Sequence, residues 1–187
     1  MNEAMEIIGY AIASADGLIA DASGVMPPAL KLDADQLYFR RALDGSDLTV
    51  LGRLTHEAAP NVRRRRRLVV SRRVAGFVQE DEVTFRCDPA AVGLGAALAR
   101  LVGPAGRVAV VGGTAVFDAV FDDPGYTAFH LSVARSVRLG AGAPLFTGAP
   151  SLDAAIDRLA ARGLIPVRRE WLDRAADLEL TVYGRPG

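Results

Sequence analysis

Asp35 is an acid placed where a helix keeps its apolar residues. Over Asp33 to Gly45, Asp35, Phe39, Ala42 and Leu43 recur at i, i+4, i+7 and i+8, while Gln36, Arg40 and Asp44 fall on the other side. Two readings of Asp35 follow. It is a first-turn acid favoured by the positive end of the helix dipole, or a carboxylate at the floor of a pocket, able to hold and deliver a proton. A second group with chemical potential is Gly112-Gly113. It lies between the apolar run Val108-Ala-Val-Val111 and the helix-compatible residues Val116, Phe117, Val120 and Phe121. A strand, a glycine turn and a helix N-terminus with free N–H groups make a phosphate cradle. A third is Gly52-Arg53-Leu54-Thr55, where an arginine and a threonine, both able to bind phosphate oxygens, follow the apolar run Leu48 to Leu51. The run Arg63 to Arg67 reads as a solvated loop or as an anion-binding patch.

Composition narrows the chemistry. The chain has 187 residues, half of them hydrophobic, enough for one well-buried domain spanning 1–187. Lys+Arg equals Asp+Glu, so global charge points neither to nucleic acid nor to a membrane surface. Cys87 is the single cysteine, which excludes an intramolecular disulfide and a cysteine-based metal site. His56 and His130 have no companion residues for a metal or a triad and read as structural, and no metal is expected. The N-terminal segment lacks a basic signal-peptide region, and no apolar run reaches membrane-spanning length. The expectation is a soluble, cytoplasmic protein.

The elements that position these groups alternate between strand and helix. Ile7 to Ala15 and Leu18 to Ala20 read as strands around an Asp16-Gly17 turn. Asp21 to Leu30, with Pro27 and Pro28, reads as a loop. The helix from Asp33 takes Asp33 as its cap, Gln36 as capping-box partner and Gly45 as its end. Leu48–Leu51, Leu68–Val70, Val83–Phe85, Val108–Val111 and Ala128–Val133 read as strands, and Val92–Val102 and Leu152–Arg162 as helices, the latter capped by Ser151. Ile165–Trp171 and Leu178–Tyr183 read as a terminal antiparallel pair. The predicted class is α/β, a single domain with a mostly parallel central sheet, flanking helices and that closing strand pair.

In this order the pieces resemble the dihydrofolate reductase superfamily, which includes the reductase domain of bacterial riboflavin-biosynthesis deaminase-reductases. The motifs are Ser14-Ala-Asp-Gly-Leu-Ile-Ala20, Met26-Pro27, Asp35-x-x-x-Phe39-Arg40, Val50-Leu-Gly-Arg-Leu-Thr55, Leu68-Val-Val-Ser71 and Val110-Val-Gly-Gly-Thr-Ala-Val-Phe117, with Ala143-Pro-Leu-Phe146 similar to the riboflavin-type branch. The resemblance implies NADPH across the C-terminal ends of the strands. It assigns Ile19, Gly52, Arg53, Leu54, Thr55, Val111, Gly112, Gly113, Thr114, Ala115, Val116 and Phe117 to the cofactor, with Ser71 and Arg72 beside the 2′-phosphate and Gly112–Gly113 in a cis peptide. Asp35 becomes the acid of a pterin-type pocket, promoting protonation of the ring so that hydride can add. Met26, Phe39 and Ser132 line the substrate side, and Arg65 is the nearest match to the arginine that binds the folate tail.

The sequence also departs from that pattern. Pro28 stands where a Trp normally follows Met-Pro, the loop to Asp35 is longer, and the arginine run is unusual. These features suit a smaller or phosphorylated aminopyrimidine at least as well as dihydrofolate. No deaminase-type zinc motif accompanies them. The leading expectation is a stand-alone NADPH-dependent reductase of the riboflavin-biosynthesis type, acting on a small-molecule aminopyrimidine or pterin, with a homodimer as a possible assembly. Dihydrofolate reduction, in folate metabolism, is the runner-up. A nucleotide-binding module without catalysis, and a phosphate- or RNA-binding protein built on Arg63 to Arg67, are the rivals from other classes.

Overall fold

The computed structural model describes residues 4–186. Its strands in chain order are β1 (Glu6–Ser14), β2 (Leu18–Ala20), β3 (Leu48–Gly52), β4 (Arg67–Val70), β5 (Phe77–Gln79), β6 (Thr84–Cys87), β7 (Arg107–Val110), β8 (Ala128–Ala134), β9 (Ala143–Pro144), β10 (Ile165–Asp173) and β11 (Leu178–Gly184). The helices are α1 (Asp33–Asp44), α2 (Arg53–Ala58), α3 (Leu94–Val102), α4 (Thr114–Asp122) and α5 (Leu152–Ala160). Nine strands form one sheet in the order β10-β11-β8-β1-β7-β3-β4-β6-β5, and β2 pairs with β9 apart from it.

The strands β8, β1, β7, β3, β4 and β6 run parallel. Parallel strands joined by helices are covered on both faces, so their sequences are apolar without alternation. Val108, Ala109 and Val110 of β7 are fully buried for this reason, as are Val50, Leu68 and Val69 of its neighbours. Helix α4 sends Val116, Phe117, Val120 and Phe121 into the same core, where Phe117, Phe129 and Phe146 meet at ring distances of 5.4–6.4 Å. The terminal pair β10–β11 is antiparallel and joins β8 through β11.

Several local expectations change. Asp33 lies inside α1, and the cap position is Leu32, which offers no side-chain acceptor. The loop after β2 contains a single 3₁₀ turn, Pro28–Leu30, whose Leu30 is buried against Ile12, Ala134 and Leu178. Proline opens that turn at low cost because its fixed φ suits a first helical position. The edge strand β5 was not anticipated, since only Phe77 of its residues is even half-buried. By contrast, Ser151 caps α5 as expected, its hydroxyl accepting from the Ala154 N–H at 3.2 Å. Among the described residues no helix is long and apolar enough to cross a membrane.

Candidate active site

A cavity of about 830 Å³ lies between α1, the face of β1 and β8 that carries Tyr10, Ile12, His130 and Ser132, α2, and the start of α4. Such a volume is near the upper end of the range for small-molecule sites. Sheet order separates its two ends. Strand β1 runs between β7 and β8, so groups following β7 and β3 lie on one side and groups on β8 on the other.

At the first end the wall is largely backbone. Gly52 N–H donates to Gly112 O at 3.0 Å, tying the end of β3 to the end of β7. Gly112 has φ +86°, and a Cβ there would lie 2.6 Å from the Phe117 ring, so only glycine fits. The Gly112–Gly113 peptide is cis. Gly113 precedes α4 with ordinary φ −70° and no side-chain cap. A Cβ on Gly113 would meet no protein atom within 4 Å, and the residue lines the cavity. Val116 and Phe117 N–H groups return to Gly113 O, while those of Thr114 and Ala115 take no protein acceptor. Open space beside an uncapped helix N-terminus fits the pyrophosphate of a dinucleotide.

The second end is built from side chains. Asp35, Tyr38 and Phe39 share the half-buried face of α1 and look onto His130 and Ser132 of β8. Burial pushes the Asp35 carboxyl above its ordinary value, and the Ser132 hydroxyl opposes that shift. A carboxyl with a raised pKa keeps its proton to higher pH, as a proton donor requires. Tyr38 Oη lies 2.6 Å from His130 Nδ1, and the Tyr10 ring packs edge-on against His130 at 4.8 Å. Lys31 and Arg40 line the same wall and form no ion pair among the described residues.

Of the residues singled out from the sequence, the wall brings together Ile19, Met26, Asp35, Phe39, Leu54, Thr55, Val111, Gly113, Phe117 and Ser132. Thr114 and Ala115 begin α4 just behind Gly113, and Thr114 Oγ1 donates to Pro144 O at 2.5 Å. Val116 is buried beneath the turn, 3.3 Å from where a Gly52 Cβ would stand. Arg53 pairs with Glu57 at 2.7 Å. Ser71 and Arg72 follow β4, the strand beyond β3; the Ser71 hydroxyl accepts from Arg73 N–H, and Arg72 is exposed. Arg65 lies outside the wall and is held by Asp44 at 2.5 Å.

The rest of the arginine run is equally engaged. Arg63 also pairs with Asp44, Arg64 with Glu82, Arg66 donates to Leu101 O and lies over Phe85, and buried Arg67 donates to Ala59 O. Asp16 is engaged as well. It accepts from Ser14 Oγ and from the Leu139 and Gly140 N–H groups, which hold its carboxyl down to about 2.

Sequence reasoning passed over Tyr10, Lys31, Tyr38, Arg40 and His130 as wall residues. Two of them had a readable signal. Tyr38 is three residues after Asp35, a spacing that shares a helix face, and His130 is two before Ser132, which shares a strand face.

No protein-family model matches the chain, and no curated protein matches it. Solved structures do match. One is a crystal structure from Shewanella sp. PV-4 named "putative riboflavin biosynthesis protein", similar at a TM-score of 0.65 and 20% identity over 97% of this chain and 99% of that one. At that identity the likeness speaks to architecture. The chain has the same fold, a mostly parallel nine-stranded α/β sheet with flanking helices and a closing antiparallel pair.

Proposed function

We propose that the protein is an NADPH-dependent reductase acting on an aminopyrimidine- or pterin-type heterocycle, of the riboflavin-biosynthesis reductase type. The observation that carries this reading is the pairing of two unlike ends in one cavity. A half-buried carboxyl with a raised pKa faces one end, and a glycine-opened helix N-terminus faces the other.

The residues divide the work. The Thr114 and Ala115 N–H groups hold the cofactor's pyrophosphate next to Gly113. Thr55 lines the cavity and Ser71 and the exposed Arg72 follow β4, where they can take the remaining phosphates, and Arg53 joins them by exchanging Glu57 for a phosphate. NADPH, when bound, supplies the hydride. Asp35 binds the N–H edge of the ring and holds a proton at its carboxyl oxygen for transfer to the nitrogen of the C=N bond being reduced, in the ring of a dihydropterin or in the open-chain imine of a ribosylamine, so that hydride adds to its carbon and the bond becomes CH–NH. Phe39, one turn from Asp35 on the same face of α1, and Ile12, paired with Ser132, put apolar surface beside that carboxyl. Lys31 and Arg40 offer cations to an anionic substituent such as a ribose phosphate.

The test is NADPH oxidation by the purified chain, with the phosphoribosylaminopyrimidine and dihydrofolate offered side by side. The expected result is faster turnover of the aminopyrimidine. Faster turnover of dihydrofolate moves the assignment to that reaction, and NADPH binding with neither substrate reduced refutes the reductase reading.

A further inference from the structure

Hydride transfer as described above leaves one hydrogen bond in the cavity without a task, that between Tyr38 and His130. Tyr38 Oη lies 2.6 Å from His130 Nδ1. Its other polar neighbour is Arg168 of β10, whose Nη2 lies 3.4 Å away. A guanidinium only donates, so the phenol proton has no acceptor on that side. Among the described residues its one protein acceptor is His130 Nδ1. Burial and the nearby Arg168 charge also push the imidazole down to about 4, which keeps the ring neutral. A neutral imidazole that accepts at Nδ1 carries its proton on Nε2.

The position of Nε2 follows from what it lacks. It has no protein partner among the described residues, yet no buried side-chain nitrogen there is without one. Solvent therefore reaches it. His130 lines the cavity, and the face of β8 that carries it also carries Ser132, a second lining residue. Asp35 and Tyr38 stand one turn apart on α1, as His130 and Ser132 stand two apart on β8, which puts the carboxyl and the imidazole in one wall.

We propose that His130 is a specificity-determining residue, its Nε2–H held by the chain Arg168–Tyr38–His130 to donate to a carbonyl oxygen on the ring whose N–H edge faces Asp35. The ligand class is a six-membered nitrogen heterocycle with neighbouring N–H and C=O groups. Tyr38 and Arg168 are positioning residues. The proposal rests on the heterocycle reading of the same cavity.

Its test needs no turnover. The chain has two histidines, so a long-range ¹⁵N–¹H correlation spectrum of histidine-labelled protein is readable, with His56→Gln for assignment. The expected result is protonated Nε2 and bare Nδ1 on His130 at neutral pH, with mixed tautomers in Tyr38→Phe. Protonated Nδ1 in the wild type would overturn the proposal. The same sample is then titrated with 2,6-diaminopyrimidin-4-one and with 2,4,6-triaminopyrimidine, which replaces the carbonyl by an amine. The carbonyl probe should shift the His130 Nε2–H signal and the amine should not. His130→Leu should lower the preference for the carbonyl probe by about 3- to 10-fold, the scale of one neutral hydrogen bond, and His130→Gln should recover part of it. A bound carbonyl probe that leaves His130 unmoved contradicts the proposal while sparing the heterocycle reading. Failure of both probes to bind a chain that still binds NADPH overturns that reading and the proposal with it.

Discussion

Where β7 and β3 end, the cavity wall is the Gly113 backbone with Leu54, Thr55, Glu57 and Phe117 around it; along α1 and β8 it carries the Asp35, Tyr38 and His130 side chains. The first end presents Gly113, the start of α4 and open space. The second presents Asp35, Tyr38, His130 and Ser132 from elements far apart in sequence. The two ends therefore differ in how they can be damaged. A backbone cradle fails when an atom is added, because its function is the room it leaves. A carboxyl in an apolar wall fails when its proton is taken away, because its function is the state that burial imposes. The second end also carries a stability cost that the first does not, since burying an ionisable group disfavours its charged form.

The largest expected effect is at Asp35. Asp35→Asn keeps shape and hydrogen bonding but cannot exchange the proton, and turnover should fall about 10²–10⁴-fold, the range for a general acid–base group. NADPH affinity should stay at the wild-type value. The folded-state pKa is raised above 3.8. Folded Asp35 thus binds more protons than unfolded Asp35 between the two values, and stability falls as pH rises through that window. At neutral pH the ionised form costs stability, so the Asn variant should melt at or above the wild type, the difference closing below pH 3.8. A variant that loses melting temperature but retains turnover would make Asp35 a helix-dipole residue only.

A smaller effect is expected beyond β3. Arg72 is exposed and forms no ion pair among the described residues, so it is available to a 2′-phosphate. Arg72→Ala should cut the preference for NADPH over NADH by about tenfold, consistent with roughly 1.5–3 kcal/mol for a hydrogen bond to a charged group, reduced by exposure. Equal affinity of the wild type for both cofactors would remove that role.

The smallest effects separate two sets of arginines. Arg40→Ala should raise the KM of a phosphorylated substrate several-fold. Arg65→Ala should leave KM nearly unchanged and cost at most about 1 kcal/mol of stability, the usual scale of an exposed ion pair such as that with Asp44. The reverse ranking in steady-state kinetics would return the anion-binding role to Arg65.

The same contrast explains what was legible in the sequence. Val108 to Phe117 is contiguous, so strand, glycine turn and helix could be read from one stretch, and the apolar pattern located the core face of α4 correctly. The stripe of α1 was readable too, because helical spacing is local. Tyr10 and Lys31 belong to the cavity through the pairing of β1 with β8 and the packing of α1, and no local spacing encodes that. The arginine run misled for the opposite reason. Five adjacent charges are conspicuous in a sequence, yet Asp44, Glu82, the Leu101 and Ala59 carbonyls and Phe85 already engage them in the fold. Strand β5 escaped because an exposed edge needs little apolar residue to hold it.

The central claim, a dinucleotide at the Gly113 end and a proton-handling carboxyl at the other, is tested most directly by NADPH titration of wild type, Gly113→Ala and Asp35→Asn side by side. An added Cβ at position 113 meets nothing in the protein, so the variant should remain folded. Filling the cradle should weaken NADPH about 5- to 150-fold, the equivalent of roughly 1–3 kcal/mol of overpacking, while Asp35→Asn binds as the wild type does. Wild-type NADPH affinity in a folded Gly113→Ala protein would contradict the account.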